Sequence, residues 1–227
     1  MANKKHMTMD EKLNSIRAGV LGSNDGILTV VGVMFSVSAA SGSAFALFIA
    51  ALSNLISGAF SMASGEYASV SSQSDSEKVV VEREKQLLKT DFEGQQRDVT
   101  DFYIQKGISQ ATAAQISREL LAKKPLETVL SVKYDITLGH YMNPWQAAYS
   151  SLICFTIGGL FPLLAMIFIK GPYQFPITIA STTVALAFTG LISSKLSNGF
   201  VKKAIWRNII IGIITIFIHY GLGKIFS

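Results

Sequence analysis

Three polar side chains and one methionine lie inside two apolar stretches of the sequence and have the chemistry to bind a cation. Asp25 lies in "LGSNDGILTV", and Asn54, Met62 and Glu66 lie in "LSNLISGAFSMASGEYAS". A carboxylate inside a membrane costs about 3 kcal/mol on insertion scales, and such residues usually mark an ion pathway. Oxygen ligands suit magnesium, calcium or manganese, whereas a thioether favours a softer ion such as ferrous iron. The four residues therefore predict a path for a divalent metal ion or a proton.

The residues of the second stretch share one broad helical face, which has two interpretations. Asn54, Gly58, Met62 and Glu66 recur every four residues, and each step turns the face by only about 40°. The same spacing is typical of a helix-packing seam with Met62 as a core side chain. Glu66 is alternatively a capping or snorkelling group near a membrane surface. Asp25 is alternatively an interfacial turn or N-cap residue, because Asn-Asp-Gly is a common turn sequence.

Five apolar segments are long enough to cross a membrane as helices. The hydrocarbon core is about 30 Å thick and requires about 20 apolar residues. The chain of 227 residues is 49% hydrophobic and only 15% charged, below the roughly 25% of soluble domains. The segments are 16–40, 45–70, 147–169, 175–193 and 204–225. They predict an integral membrane protein that lies in a lipid bilayer.

The length of the first segment places Asp25 within the membrane zone. Residues 27–40 are too few to cross the bilayer, so the helix must also include residues 16–26. Gly19, Gly22 and Gly26 are expected to loosen this helix around the carboxylate.

A charged segment separates the second and third apolar segments and holds most of the acidic residues. It predicts helices at 74–88, 92–106 and 110–122, with a short further turn after Pro125. We divide the chain into a tail with spans one and two (1–71), a helical insert (72–143) and spans three to five (144–227). The predicted fold class is an all-α integral membrane protein with five transmembrane helices and a cytoplasmic helical insert between spans two and three.

Positive charge beside the spans predicts the orientation. Basic residues cluster before span one and between spans four and five, whereas the other side has only Lys170 and Lys224. The clustered residues are Lys4, Lys5, Lys12, Arg17, Lys195, Lys202, Lys203 and Arg207. The positive-inside rule therefore puts the N-terminus and the insert in the cytoplasm and the C-terminus outside. No organelle-targeting peptide is recognisable, which favours a multi-pass protein of a bacterial cell membrane.

Several function classes lack their sequence signatures. The chain has no nucleophile–base pair, HExxH zinc motif or GxxxxGK[ST] nucleotide motif, so neither an enzyme nor an ATP-driven pump is predicted. The net charge of +5 does not form a basic stripe interleaved with aromatics, so no nucleic-acid partner is expected. The single cysteine, Cys154, cannot form a disulfide within the chain. No permanently bound cofactor is expected.

The motifs resemble those of the vacuolar iron transporter family. The matching segments are "NDG", "SGAFSMASGEYASVSSQSDSE", "NPWQAA", "GGLFPLL" and "RNIIIGIITIFIHYGLG", in this order over nearly the whole chain. The resemblance implies a homodimer whose ion path lies between the subunits and is formed mainly by spans one and two. It implies export of ferrous iron, often manganese, from the cytosol in exchange for protons.

The resemblance also implies roles for individual path residues. By position, the span-one carboxylate is Asp25 and the span-two methionine is Met62. The second carboxylate of plant-type members falls on Asn54, so the correspondence fails there. Glu66, one turn after Met62, is expected to take up part of that role.

The insert of plant-type members binds metal through paired glutamates and methionines, and this chain is depleted in both. The resemblance places the first glutamate on Glu84, followed by a leucine at its partner position, and the next pair on Gln95 and Asp98. No methionine occurs in residues 63–141. The candidate insert ligands are Glu84, Asp98, Asp101 and Asp135. An ordinary solvated acidic face is the alternative, and we expect weak metal binding or none.

These observations favour a secondary transporter that exports ferrous iron or manganese, with protons as the exchanged ion. The alternatives are a channel-like cation pathway and a non-transporting membrane scaffold whose insert binds partners. A scaffold would not need Asp25 or Glu66.

Overall fold

The described residues, 9–40 and 43–225 of a computed structural model, form eight α-helices and a short 3-10 turn, with no strand among them. Lys4 and Lys5, used above to predict the orientation, lie outside these residues. The helices are α1 (Met9–Ala40), α2 (Ala44–Thr90), α3 (Phe92–Gln105), α4 (Gln110–Lys123), α5 (Pro125–Tyr134), α6 (Pro144–Phe168), α7 (Gln174–Leu196) and α8 (Val201–Ile225), and the turn Gly171–Tyr173 precedes α7.

Five of these helices, α1, α2, α6, α7 and α8, are long and apolar enough to cross a membrane. The predicted all-α, multi-pass membrane fold with five spans is therefore confirmed. Helix α2 has 47 residues and is about 70 Å long at 1.5 Å per residue. This length exceeds twice the roughly 30 Å of a hydrocarbon core, so only part of α2 can lie within a bilayer.

The chain forms two compact units, which are described separately. The first comprises the described parts of Met1–Ser69 and Asn143–Ser227, and the second is Val70–Met142. The second unit contains the end of α2 and helices α3, α4 and α5, which enclose a small core of Val99, Leu121 and Val129.

Two elements of the second unit differ from the sequence-based prediction. The helix expected at 74–88 is not separate but is the final part of α2. The serine-rich stretch before it contains no glycine or proline to end the helix, and the Ser76 hydroxyl donates to the Ser72 carbonyl within it. The short turn expected after Pro125 is the ten-residue helix α5, in which this proline occupies the first turn, where its missing N–H costs nothing.

Helix α1 lies at the centre of the first unit, where it packs against α6, α7 and α8. Val30 and Met34 of α1 are completely buried. They join Leu55 of α2, Phe155 of α6 and Ile216 of α8 in one hydrophobic cluster. The helix that carries Asp25 is therefore held on several sides by apolar contacts.

Gly19, Gly22 and Gly26 of α1 are contact points with α6, which differs from the expectation of a loosened helix. Helix α1 is continuous through the Asn-Asp-Gly sequence. A Cβ on Gly22 would lie 2.6 Å from the Ser151 carbonyl oxygen, and a Cβ on Gly26 would overlap the Phe155 carbonyl oxygen. Small residues permit this close backbone approach between membrane helices. The position of Asp25, between these glycines, is thereby fixed against α6.

Gly26→Ala should destabilise the first unit, because the added methyl group would meet the backbone of α6 and not a flexible side chain. Overpacking of this kind typically costs about 1–3 kcal/mol. Gly221→Ala is the matched control, since a Cβ on this α8 glycine meets nothing within 4 Å. Thermal unfolding in detergent compares the two variants, and equal melting temperatures would contradict the close α1–α6 packing.

Candidate functional site

The Asp25 carboxylate is partly buried on α1 and has no ion pair or side-chain hydrogen bond within residues 9–40 and 43–225. The Asp25 backbone carbonyl accepts a hydrogen bond from the Thr29 hydroxyl at 2.8 Å, as expected inside a helix. The neighbouring Asn24 Oδ1 is buried and also lacks a donor in the described structure. Polar groups that are buried without partners are costly. The oxygens of both residues can therefore accept a hydrogen bond from water or bind a metal ion, and the Asp25 carboxylate can also take up a proton.

Asn54, Met62 and Glu66 follow one another along α2, but their surroundings differ. The Asn54 Nδ2 is buried without an acceptor in the described structure. Met62 is partly buried and packs against the hydrophobic cluster that contains Phe155. Glu66 forms an ion pair with Arg17. The shared face therefore includes one unpaired amide, one core-packed thioether and one neutralised carboxylate.

The ion pair between Arg17 and Glu66 connects α1 to α2. Arg17 Nη2 lies 3.2 Å from Glu66 Oε2, and it also donates to Asn14 Oδ1 at 3.0 Å. The Glu66 side chain is 10% exposed and that of Arg17 is 54% exposed, so the pair lies at the edge of the packed helices. The sequence indicated Arg17 only as an orientation-setting charge. Its partner is 49 residues away, and no spacing rule joins residues that far apart.

The described residues contain no group of three or more His, Cys, Asp and Glu side chains that could hold a metal ion. Asp25 and Glu66 are therefore present as separate carboxylates on α1 and α2. Divalent metal ions such as Mg²⁺ and Ca²⁺ take about six or more ligands. The described part of one chain thus offers isolated ligands and not a complete coordination shell.

In the second unit, Glu84 is completely buried and is bound by neighbouring donors. Its Oε1 accepts a hydrogen bond from the Tyr134 hydroxyl at 2.7 Å, and its Oε2 accepts one from Lys133 Nζ at 3.1 Å. Arg83 Nε lies 3.5 Å from Oε1. Burial by itself raises the pKa of Glu84, but these hydrogen bonds and the two positive charges outweigh it. The pKa of Glu84 therefore lies below its usual value, and the group is a carboxylate at neutral pH.

Lys133 brings Gln95 and Asp98 next to Glu84. Its Nζ donates to Gln95 Oε1 at 3.2 Å and lies 3.0 Å from Asp98 Oδ2. Burial by itself lowers the pKa of Lys133, but the bonds to Asp98 and Glu84 outweigh it, so this pKa lies above its usual value. Two of the four predicted insert ligands, Glu84 and Asp98, are thus brought together, and a lysine ammonium lies between them.

Asp101 and Asp135 do not join this group. Both are exposed, and Asp135 ends α5 in the left-handed conformation with φ of 55°. Lys133 and Tyr134 were not identified from the sequence, because "SVKYD" contains no signal of burial. Lys133 is 49 residues from Glu84 and 38 from Gln95, so only the packing of α2, α3 and α5 reveals the contact.

Comparisons with known proteins show similarity over nearly the whole chain. A family model described as "VIT family" matches residues 16–224. "Vacuolar iron transporter" of Acanthamoeba castellanii is 32% identical over 223 residues, which cover 97% of this chain and 82% of that protein. "Vacuolar iron transporter homolog 2" of Oryza sativa subsp. japonica is 30% identical over 214 residues, which cover 93% of this chain and 90% of that protein. "VIT-like transporter 1b" of Glycine max is 27% identical over 226 residues, with 98% and 82% covered.

Glu84→Gln should destabilise the second unit by about 3 kcal/mol at neutral pH, because it removes one partner of a buried ion pair. The folded pKa of Glu84 lies below the ordinary value of 4.5. The stabilisation by its carboxylate is therefore fully present above pH 4.5 and is lost as the pH falls through the folded pKa. The difference in the free energy of unfolding between the native chain and Glu84→Gln should therefore shrink as the pH falls below 4.5.

Glu82→Gln is the matched control for this measurement, because Glu82 is an exposed glutamate of the same helix. Its contacts are local, an ion pair with Lys85 at 3.7 Å and a hydrogen bond from Gln86 Nε2 at 3.1 Å. We expect it to change stability by no more than about 0.5 kcal/mol. Thermal unfolding at pH 7 and below pH 4.5 compares the variants. Equal effects of the two substitutions at pH 7 would show that the buried pair does not stabilise the unit.

Proposed function

Because the chain belongs to the VIT family, whose members are transporters and not enzymes, we propose that it is a secondary transporter that exports divalent metal ions from the cytosol. Family membership confirms the resemblance found in the sequence motifs. The proposed cargo is ferrous iron, because relatives at 32% and 30% identity bear the name of vacuolar iron transporters. Manganese is the second proposed cargo, and protons are the proposed exchanged ion.

The observation that carries this proposal is the uncompensated carboxylate of Asp25. It lies in a membrane-spanning helix, partly buried, and no cationic side chain of the described structure binds it. Glu66, by contrast, is neutralised by Arg17. A charge in apolar surroundings is costly unless a partner compensates it. A metal ion or a proton can compensate Asp25, and the two compete for the same oxygens, which is the physical basis of exchange.

The exposed face of α2 supports the proposal of a homodimer with the ion path between its subunits. Only 17% of the apolar part of α2 is buried, the smallest share among the five spans. Ile56 and Phe60 are exposed on this helix, and a Cβ on Gly65 would meet nothing within 4 Å. Small residues let membrane helices approach closely. A second copy that packs on this face would line the path with α1 and α2 of both chains.

We propose that the N-terminus and the insert face the cytoplasm and that the C-terminus lies outside the cell membrane. Lys12 and Arg17 lie near the start of α1, Lys195 lies in the last turn of α7, and Lys202 and Lys203 lie in the first turn of α8. By the positive-inside rule these helix ends belong on the cytoplasmic side. Protease protection of the insert in vesicles of known orientation checks this proposal, and cleavage from the external side would overturn it.

Asp25→Asn should abolish metal transport and leave the dimer intact, because it removes the charge and preserves the volume. Ferrous-iron flux into proteoliposomes, with a pH dye inside, measures metal and proton movement together. The mass of the detergent-solubilised protein reports the oligomeric state. Asp75→Asn is the matched control, since Asp75 is exposed and pairs with Lys78 one turn away. Its flux should equal that of the native chain.

Each outcome of this experiment has a distinct meaning. Metal flux with matching proton movement, lost only in Asp25→Asn, supports an exchanger with Asp25 in its path. Flux without proton movement overturns exchange and favours a channel-like pathway. Full flux in Asp25→Asn removes Asp25 from the path, and a monomeric mass overturns the dimer. No flux of any ion by the native chain would favour a membrane scaffold.

Met62→Leu should reduce iron transport more than manganese transport, because the thioether sulfur is the softer ligand. Leucine has a similar volume, so the packing of this side chain against the hydrophobic cluster should be largely retained. Met34→Leu is the control, since Met34 is completely buried in the same cluster and should affect both ions equally. Equal losses of iron and manganese flux in Met62→Leu would refute the sulfur ligand.

A further inference from the structure

A polar face of α1 leads from Asp25 towards the end of this helix. Thr29, Gly32 and Ser36 follow Asp25 at intervals of four, three and four residues, so the four positions lie within an arc of about 60°. Thr29 and Ser36 are the only residues with polar side chains in 26–37. The second half of α1 therefore places its few polar groups on the side that carries the Asp25 carboxylate.

The imidazole of His219 on α8 packs on this polar face. A Cβ on Gly32 would lie 2.8 Å from both Nε2 and Cδ2 of the ring, so the glycine leaves room for the imidazole against the backbone of α1. The His219 side chain is partly buried, and it is the only histidine of the five spanning helices as the structure describes them. An imidazole is the side chain whose charge ordinarily changes between pH 5 and 8.

The contacts of Ser36 determine which ring nitrogen of His219 carries the hydrogen. The Ser36 hydroxyl donates its single hydrogen to the His219 carbonyl oxygen at 2.9 Å, because a carbonyl can only accept. Nδ1 lies 3.2 Å from the same hydroxyl oxygen and must therefore be the donor in that contact. Neutral His219 thus has its hydrogen on Nδ1 and a lone pair on Nε2. No side chain in the described part of the chain donates to this lone pair.

Few ionisable groups of the described helices face the imidazole. On α1 the nearest is Asp25, two helical turns or about 10 Å before the contact with the ring. On α8 itself Tyr220 and Lys224 follow, and the only charged residue of α7 is Lys195, in its last turn beside the start of α8. A proton gained at Nε2 is therefore not held there by a carboxylate in contact with the ring, and it can be released again.

We propose that the His219 imidazole carries the proton that is exchanged for the metal ion, and that the polar face of α1 conducts this proton inward. The inference rests on the proposed exchange of metal for protons. A hydronium ion from the side of the membrane where α1 ends gives a proton to the Nε2 lone pair, which forms an imidazolium and leaves water. The Nε2–H bond then breaks as the proton passes to water beside Thr29, and the ring becomes neutral again. Nδ1 keeps its hydrogen bond to Ser36 throughout.

His219→Asn is the decisive variant, because the asparagine amide takes the place of Nδ1–H and can still donate to Ser36, whereas no base remains at the position of Nε2. Flux is measured in proteoliposomes of determined orientation with a pH dye inside. Lowering the pH from 8 to 6 on the side where α1 ends should accelerate exchange by the native chain. His219→Asn should lose this acceleration, and its proton movement should fall about tenfold or more. His140→Asn is the matched control, since His140 is exposed in the second unit, and it should behave as the native chain does.

Two further measurements separate proton transfer from a structural role of His219. Ser36→Ala removes the hydrogen bond to the ring and keeps the imidazole, so it should retain the pH response even if its melting temperature falls. The melting temperature of His219→Asn should equal that of the native chain. Nitrogen-15 NMR of the histidine-labelled protein in detergent, with His219→Asn to assign the signal, should show hydrogen on Nδ1 alone at pH 8 and on both ring nitrogens at pH 5.

Four results would each overturn the role of His219. These are a native pH response in His219→Asn, an imidazole that still has a single hydrogen at pH 5, a pH response that Ser36→Ala loses to the same extent, and a higher half-saturating iron concentration in His219→Asn with an unchanged pH response. The third would assign the effect to helix packing, and the fourth would make His219 a metal ligand. Metal flux without proton movement in the native chain would overturn the proposed exchange itself, so the two failures are distinguishable.

Discussion

A carboxylate held away from water requires a compensating charge or hydrogen-bond donors, and this requirement organises the polar groups of both units. Glu84 receives donors from Lys133 and Tyr134, and Glu66 receives the guanidinium of Arg17. Asp25 receives neither within the described residues. The protein therefore neutralises two of these three carboxylates with its own side chains. The third remains available to an ion that comes from solution, which is why the proposed ion path includes α1.

Much of the fold could be predicted because its signals are local. Apolar length identified all five spans, and the charge pattern of the insert identified α3 and α4 close to their observed bounds. The continuation of α2 to Thr90 was missed, because a serine-rich stretch resembles a loop although nothing in it stops a helix. The role of the α1 glycines was also missed. Their partner, α6, lies far away in sequence, and only the packed structure shows its backbone against Gly22 and Gly26.

The candidate site, like the fold, could be predicted where the signal lies in neighbouring residues and not where it depends on residues distant in sequence. Residue type and spacing identified Asp25, Met62 and Glu66 as candidate ligands in apolar helices. They did not identify Arg17 or Lys133, because a pairing across 49 residues results from tertiary packing. A list of acidic residues therefore overestimates the ligands that are free to bind metal. Which carboxylates the chain has already neutralised becomes clear only when their partners are located.

The contact between α1 and α6 has a mechanical consequence. Where two helices touch through their backbones, no side chains lie between them that could change rotamer and let one helix slide past the other. Packed interfaces of this kind shift between discrete arrangements and do not deform continuously. Helices α1 and α6 should therefore move as one rigid body, and any step that displaces Asp25 must carry α6 with it. We expect α2 to move relative to this body, because its contact at Gly58 is with the Phe155 ring, a side chain that can turn.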